Sequence, residues 1–259
     1  MIKFYKYVAA GNDFIIFNNW DAELELTQSQ IINLCDRRFG IGADGVLILE
    51  PQTDASFRMN YFNADGSRGE MCGNGARALV AFAHSQKRVG TSGSFLADDG
   101  HHAFKISREL VDVEILVNDT LHNGEVPNTD CGFINTGVPH LVIPVRNVNA
   151  QDLDLLGNSM NGHSAHPQGT NVNIIEKQDN ILQVRTWERG VNQETLACGT
   201  GAAASAIYAN HIWSSPWPIS LQFKGGDLEV DFYGNQYWLK GPAKLVFIGE
   251  LSLSVLNSK

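Results

Sequence analysis

Polar and apolar residues alternate through Val111-Asp-Val-Glu-Ile115 and again through Asp227-Leu-Glu-Val-Asp-Phe232. A period of two marks a strand with one face in a core and one in water. Similar or more continuously apolar runs predict strands over residues 2–8, 14–18, 45–50, 57–63, 93–97, 103–106 and 111–117. The second half predicts 133–136, 140–145, 171–176, 181–187, 219–223, 228–232, 237–241 and 244–249. Helical patterns are fewer: 28–39, behind a Thr27/Ser29 cap signal, then 75–88 and 201–211. The last two are rich in Ala, which lets a helix pass closely inside a sheet. The expected fold class is α+β: two pseudo-symmetric halves, each a mainly antiparallel sheet or barrel wrapped around one central helix.

The pattern repeats. Cys72-Gly-Asn-Gly-Ala and Cys198-Gly-Thr-Gly-Ala lie 198 − 72 = 126 residues apart in a chain of 259. The same offset lays residues 9–16 on 135–142, 46–50 on 172–176 and 95–100 on 221–226. A period this long is a duplicated unit rather than a solenoid. The polar stretch 118–128, with its Asn, Asp, Gly and Pro, is the natural connector. The expected division is therefore 1–117, with 249–259 returning to it, and 118–248, with the functional site at the interface.

Composition narrows the partners. Net charge is −9 and the pI about 5.3, which argues against nucleic acid or an anionic membrane surface. No run approaches the ~18–20 apolar residues of a membrane span, and no secretory pattern follows Met1. A cytoplasmic protein acting on a small molecule is expected, with room for a homodimer. The cysteines at 35, 72, 131 and 198 include no CxxC pair, so no metal site is expected. Cys35, in Ile31-Ile-Asn-Leu-Cys35, reads as a small core residue, and Cys131 is uninformative.

The chemistry is in the paired phrases. Glycines after each Cys allow close backbone approach, and a helix starting there offers unpaired N–H groups and a positive dipole end. Those groups can hold a carboxylate and lower the pKa of the adjacent thiol. Two such starts would grip an α-amino acid with its α-carbon between Cys72 and Cys198. That arrangement suits proton removal on one face and return on the other. His140 falls beside a thiol segment, where it can relay protons or tune a thiolate. Glu188-Arg189 suits a ligand with a second ammonium and carboxylate. Glu70 and Glu194 read as turn or helix-start carboxylates. His101, His102, His163 and His166 read as surface residues. A cysteine hydrolase with His140 as base, or a module that only binds amino acids, would use part of this set.

These residues carry a resemblance to the diaminopimelate epimerases over nearly the whole chain. It rests on Gly11-Asn-Asp-Phe14, on Asp36-Arg-Arg-Phe-Gly-Ile-Gly-Ala-Asp-Gly45, on Phe62-Asn-Ala-Asp-Gly-Ser67 and on Met71-Cys-Gly-Asn-Gly-Ala-Arg77. In the second half it rests on Gly137-Val-Pro-His140, on Gly169-Thr-Asn-Val-Asn173, on Glu188-Arg-Gly190 and on Glu194-Thr-Leu-Ala-Cys-Gly-Thr-Gly201. The resemblance implies cofactor-independent interconversion of LL- and meso-diaminopimelate, with Cys72 and Cys198 as the acid/base pair. It also implies that Gly73, Asn74, Gly199 and Thr200 hold the reacting carboxylate. Asn12, Asn63, Asn171, Glu188 and Arg189 are the implied substrate contacts, and His140 and Glu188 tune the thiols. Val138, Gly45, Ala9-Ala10 and the loop 191–193 depart from the family pattern. A racemase of another amino acid on the same scaffold is the nearest alternative.

Overall fold

The computed structural model describes residues 1–21, 23–69, 71–117, 119–124, 126, 129–160, 163–164 and 166–252. In chain order the first elements are β1 (Ile2–Ala9), β2 (Asn12–Asn18), α1 (Gln28–Cys35), β3 (Gly45–Glu50), β4 (Phe57–Asn63) and β5 (Arg68–Gly69). Next come α2 (Gly73–Ser85), β6 (Ser92–Ala97), β7 (Gly100–Ser107), β8 (Leu110–Ile115) and β9 (His122–Asn123). The chain continues with β10 (Gly132–Asn135), β11 (Pro139–Pro144), a 3-10 turn (Val148–Ala150), α3 (Leu153–Met160), β12 (Asn171–Gln178) and β13 (Ile181–Glu188). It closes with β14 (Gln193–Thr195), α4 (Gly199–Trp213), β15 (Ile219–Phe223), β16 (Gly226–Tyr233), β17 (Gln236–Pro242) and β18 (Lys244–Leu251).

Two compact units result: Met1–Val113 with Gly241–Lys259, and Glu114–Lys240. These limits fall earlier than 117/118 and 248/249. In the first unit β1 lies between β18 and β2, both antiparallel to it. Parallel pairings join β2 to β3 and β4 to β6, and the other pairings are antiparallel. A parallel pair cannot be closed by a tight turn, so each needs a crossover. Helix α1 makes the first crossover and α2 the second. Helix α2 is buried on nearly every side, from Gly73 through Val80 and at Phe82 and Ala83, as expected of a helix with no polar face. It is the core of its unit.

The second unit repeats this order. Adding 126 to both members of the β2–β3 pair Phe14↔Gly45 gives the observed β11–β12 pair His140↔Asn171. Phe104↔Val113 likewise becomes Val230↔Leu239. One strand slips: Val46↔Phe62 predicts Val172↔Glu188, whereas Val172 faces Trp187. The extra residue is absorbed in the turn after β13, where Gly190 and Asn192 both take positive φ, 91° and 57°. Helix α4 occupies the place of α2, with Ala202, Ala203, Ala204, Ala206 and Ala209 all buried.

Several expected elements differ. Helix α1 stops at Cys35 rather than residue 39, because Asp36 leaves helical geometry (φ −59°, ψ 122°). Its carboxylate then accepts the Arg38 and Phe39 N–H groups, each at 2.7 Å. Helices α2 and α4 begin two residues earlier than 75 and 201, at Gly73 and Gly199. Helix α3 was not expected, since Gly157 and polar neighbours blur its period. It buries Leu153, Gly157 and Met160. A Cβ on Gly157 would lie 2.2 Å from Cγ of Trp187, itself 0% exposed. Gly157→Ala should therefore destabilise the fold by about 1–3 kcal/mol through overpacking. Denaturant midpoints of the two proteins check this, and equal midpoints would refute the contact.

Candidate active site

The first unit positions Cys72 as the N-cap of α2. Its backbone is extended (φ −133°, ψ 113°) and its Sγ accepts the Gly75 N–H at 3.4 Å. Asn74, in the first turn, is 1% exposed. Behind it lies Arg77, fully buried, whose Nη2 donates to Asn74 Oδ1 at 2.8 Å and Nη1 to the Gly73 carbonyl at 3.3 Å. Asn74 Nδ2 then donates to Asn12 Oδ1 (2.5 Å), and Asn12 Nδ2 to Asp44 Oδ2 (3.0 Å). A guanidinium can only donate and a carboxylate only accept, so the two ends fix both amide orientations. Arg37 ties Asp44 (2.6 Å) to both oxygens of Asp13 (3.0 and 2.7 Å), and Lys6 also pairs with Asp13 at 2.7 Å. Burial would raise the Asp13 carboxyl, but the Arg37 and Lys6 hydrogen bonds overcome it and hold it at about 2. Burial draws the Arg77 guanidinium down to about 10, opposed by the charge on Cys72. Arg77 therefore stays cationic at neutral pH. Asn63 holds its own turn, with Nδ2 on Ser67 Oγ at 3.0 Å.

The second unit builds the matching start from different residues. Cys198 caps α4 (φ −121°, ψ 121°), is 7% exposed, and accepts the Gly201 N–H at 3.4 Å. Thr200 Oγ1 lies 3.4 Å from its sulfur and 2.9 Å from His140 Nε2. On the other side of the ring, Nδ1 meets Asn173 Nδ2 at 2.9 Å. That amide nitrogen also reaches the Leu141 carbonyl (3.3 Å), while Thr186 donates to Asn173 Oδ1 (2.8 Å). A carbonyl can only accept, so Asn173 presents its NH2 to the ring. Nδ1 is then the acceptor, and the proton sits on Nε2, facing Thr200. The chain Asn173–His140–Thr200–Cys198 is thus oriented from end to end. His140 is 0% exposed; burial first, and the Arg189 charge second, lower it to about 3, and the Asn173 NH2 on Nδ1 likewise favours the neutral ring.

This has a pH consequence. An unfolded imidazole titrates near 6.5, so between that value and about 3 the unfolded chain binds the extra proton. Stability from neutral His140 is fully present above 6.5 and is lost as pH falls towards 3. Unfolding free energy should drop between pH 7 and 4.5, with a shallower slope in His140→Asn. Parallel slopes in the two proteins would count against it. Asp13, held at about 2, adds its loss only below about 4.

Around this chain, Asn171 is buried, with Nδ2 3.5 Å from His140 Nε2 and Oδ1 accepting the Arg189 N–H at 2.8 Å. The exposed Arg189 side chain rests Nη1 on the carbonyls of Gln168 (2.7 Å) and Gly169 (3.4 Å). Glu188 Oε1 accepts from Thr195 Oγ1 at 2.5 Å. Glu194 is not a helix-start carboxylate. It forms a two-bond pair with Arg185 (2.7 Å each) and a third contact with Lys224 (2.8 Å), which stitches β13 to β14. Glu70 lies outside the described residues.

Two histidines read as surface residues are buried instead. His102, 1% exposed, stacks on Phe95 at 5.1 Å and bonds Asp99 at 2.9 Å. His166, 8% exposed, stacks on Phe133 at 4.6 Å. An adjacent-histidine pattern gives no sign of which ring turns inward. Among the described residues, no group of three His, Cys, Asp or Glu side chains is arranged to hold a metal ion. Nor is any helix there long and apolar enough to cross a membrane.

Sequence reasoning assigned no role to Arg77, Asp44, Asn173 or Thr186. A signal was present in two of them. Arg77 is the one charged residue of α2, and Asn173 shares a strand face with Asn171 in an otherwise apolar run.

Solved structures identify the fold. The chain matches a phenazine biosynthesis protein of Bacillus anthracis with TM-score 0.76 at 14% identity, over 97% of this chain and 99% of that one. It matches a probable proline racemase of Agrobacterium radiobacter with TM-score 0.70 at 12% identity, over 98% and 93%. The architecture is thus one shared by racemases and other proteins whose sequences have diverged widely. Sequence comparison is more specific. The diaminopimelate epimerase profile matches residues 4–113 and 132–246. The diaminopimelate epimerase of Flavobacterium psychrophilum is 38% identical over 261 residues, 95% of this chain and 98% of that protein. That of Chlorobaculum tepidum is 37% identical over 263 residues, 94% and 99%. The chain belongs to the diaminopimelate epimerase family and is an isomerase.

Proposed function

We propose that the protein interconverts LL- and meso-diaminopimelate without a cofactor. The carrying observation is the duplicated Cys N-cap, present in both units of a chain that belongs to this family. The first turns of α2 and α4, at Gly73-Asn74 and Gly199-Thr200, bind the α-carboxylate through backbone N–H groups. One thiolate removes the α-proton while the other thiol delivers a proton to the opposite face. The N–H groups stabilise the charge that spreads into the carboxylate as the proton leaves. Asn12, Asn63, Asn171, Glu188 and Arg189 position the substrate, while His140 acts on Cys198 through Thr200. The enzyme then serves lysine and cell-wall precursor synthesis in the cytoplasm, independently of nucleic acid and membranes, as a monomer or homodimer.

The test is proton exchange. In deuterated water, with no cofactor added, the protein should place deuterium at the α-carbon of meso-diaminopimelate and form the LL isomer. A cysteine hydrolase or a binding module would leave the α-carbon unlabelled, and that result would end this reading.

A further inference from the structure

Beneath the start of α4 the sheet presents a run of buried polar side chains. His140 on β11, Asn173 on β12 and Thr186 on β13 are each 0% exposed. Asn173 and Thr186 stand opposite each other on neighbouring strands, as do His140 and Asn171. The first unit fills the equivalent places with Leu47 opposite Tyr61 and Phe14 opposite Gly45. A Cβ on Gly75 would meet Leu47 (3.3 Å) and Phe14 (3.4 Å), whereas one on Gly201 would meet Asn173 (2.5 Å) and His140 (3.3 Å). The first unit thus packs this place without His, Asn or Thr. Polar groups taken out of water cost stability unless each is hydrogen-bonded, and a fully bonded set imposes one arrangement. What the set adds in the second unit is direction.

We infer that Asn173 is a positioning residue for the thiol chemistry. It locks His140 as a neutral ring donating from Nε2, so that His140 aims the Thr200 hydroxyl at Cys198 and takes up no proton itself. Its part in catalysis rests on the two-thiol reading.

The lock is built from donors. Thr186 donates to Asn173 Oδ1 at 2.8 Å, and Asn173 Nδ2 lies 3.3 Å from the Leu141 carbonyl and 2.9 Å from His140 Nδ1. Reversing that amide would set its oxygen against the carbonyl. Asn171 keeps Oδ1 on the Arg189 N–H (2.8 Å) and so also turns its NH2 to the ring, 3.5 Å from Nε2. A second ring proton would sit on Nδ1, facing an NH2 instead of an acceptor. Among the described residues, the one acceptor bonded to the ring is Thr200 Oγ1, 2.9 Å from Nε2. Having accepted that bond, Thr200 directs its own hydrogen to its other neighbour, the Cys198 sulfur at 3.4 Å. This holds whatever else the sulfur contacts. From Thr186 through Asn173, His140 and Thr200 every donor points toward Cys198. A proton that Cys198 takes from the α-carbon therefore stays on the sulfur, because no group behind it is open to receive one.

The charges around the ring do not favour its protonation. Against β11 pack β10, β12 and α4. Strand β10 carries no charged residue, and on β12 Glu176 and Lys177 lie at the far end, with Glu176 accepting the Val148 N–H. Helix α4 has Cys198 at its start and Tyr208 and His211 in its later turns. On β13, Arg185 is paired with Glu194 and Glu188 accepts from Thr195. Arg146, beyond the end of β11, is exposed. Arg189 adds a positive charge, which opposes a second one on the ring.

Imidazole nitrogen NMR of the ligand-free protein, labelled with 15N-histidine, reads tautomer and charge together. The chain has eight histidines, and a His140→Asn difference spectrum assigns the signal. Between pH 8 and pH 5, where an ordinary imidazole gains its charge, His140 should stay neutral with its proton on Nε2. Asn173→Asp puts an acceptor and a negative charge beside Nδ1, so the ring's midpoint should rise from about 3 to about 6 or higher. Asn173→Leu, which copies the first unit, should release the lock and show both neutral tautomers. Its kcat for diaminopimelate should fall with KM little changed, because a fully buried Asn173 touches no substrate. A merely structural role would lower stability and leave the tautomer of the folded variants unmoved. Should neither variant fold, Thr186→Val, which removes the donor to Asn173 Oδ1, should raise the Nδ1–H fraction. A wild-type ring that titrates near 6.5, a proton on Nδ1, or a tautomer indifferent to residues 173 and 186 overturns the lock. The spectra use no substrate and deuterium exchange is scored separately, so failure of the wider reading would remain distinguishable.

Discussion

Cys72→Ala and Cys198→Ala should each reduce epimerisation by about 10²–10⁴-fold or more, the usual contribution of a positioned acid or base. In the proposed mechanism each thiol serves one face of the α-carbon, so removing either would leave the carbanion without a proton source on that side. Both residues are N-caps, and an Ala cap costs about 1 kcal/mol of helix stability. That is small beside the burial of α2 and α4 among their strands, so the variants should fold. The sharper expectation concerns partial reactions. An enzyme with one thiol left could still wash deuterium into one isomer without forming the other. Near-wild-type formation of the opposite isomer by either folded variant would leave the two-thiol mechanism without support.

Legibility followed the physics of each feature. Strand periodicity and the 126-residue offset depend on local pattern, and they located β2, β3, α2 and their counterparts. Helix ends were less legible: the start at Gly73 rather than Gly75 depends on the Cys72 cap, whose sulfur accepts an N–H, which no periodicity reports. The end of α1 depends on Asp36 capping its own loop. The site's visible half was the paired cysteines. Its hidden half was the support beneath them, because Phe14 and His140 occupy equivalent positions and only tertiary packing shows what each lies under. Gly45 illustrates the same limit. A Cβ there would stand 2.6 Å from the Phe62 carbonyl and 2.8 Å from the Tyr61 ring, so packing explains a residue that read only as a departure from pattern.

Substrate selection should fall to Glu188 and Arg189, with strong discrimination against amino acids that have a single zwitterion. Diaminopimelate differs from lysine by the carboxylate at its far end. In the proposed site Arg189 would meet that group: its Nη1 is held by the carbonyls of Gln168 and Gly169, and its backbone N–H is fixed by Asn171. Among the described residues, no hydrogen bond occupies its Nε–Nη2 edge, which presents the two parallel donors a carboxylate accepts. Glu188, at the end of β13 and bonded by Thr195, would receive the distal ammonium in the proposed site. Lysine would leave that guanidinium edge unmatched, and losing a charge-assisted pair costs about 1.5–3 kcal/mol. Arg189→Lys keeps the charge but not the planar fork, so kcat/KM for diaminopimelate should fall by roughly 10–100-fold. The loss should appear in KM and kcat together if remote binding energy helps align the α-carbon between the thiols. Turnover of diaminopimelate is to be compared with that of lysine in the wild type and in Arg189→Lys. Equal turnover of the two amino acids by the wild type would remove the substrate assignment and leave the thiol chemistry standing.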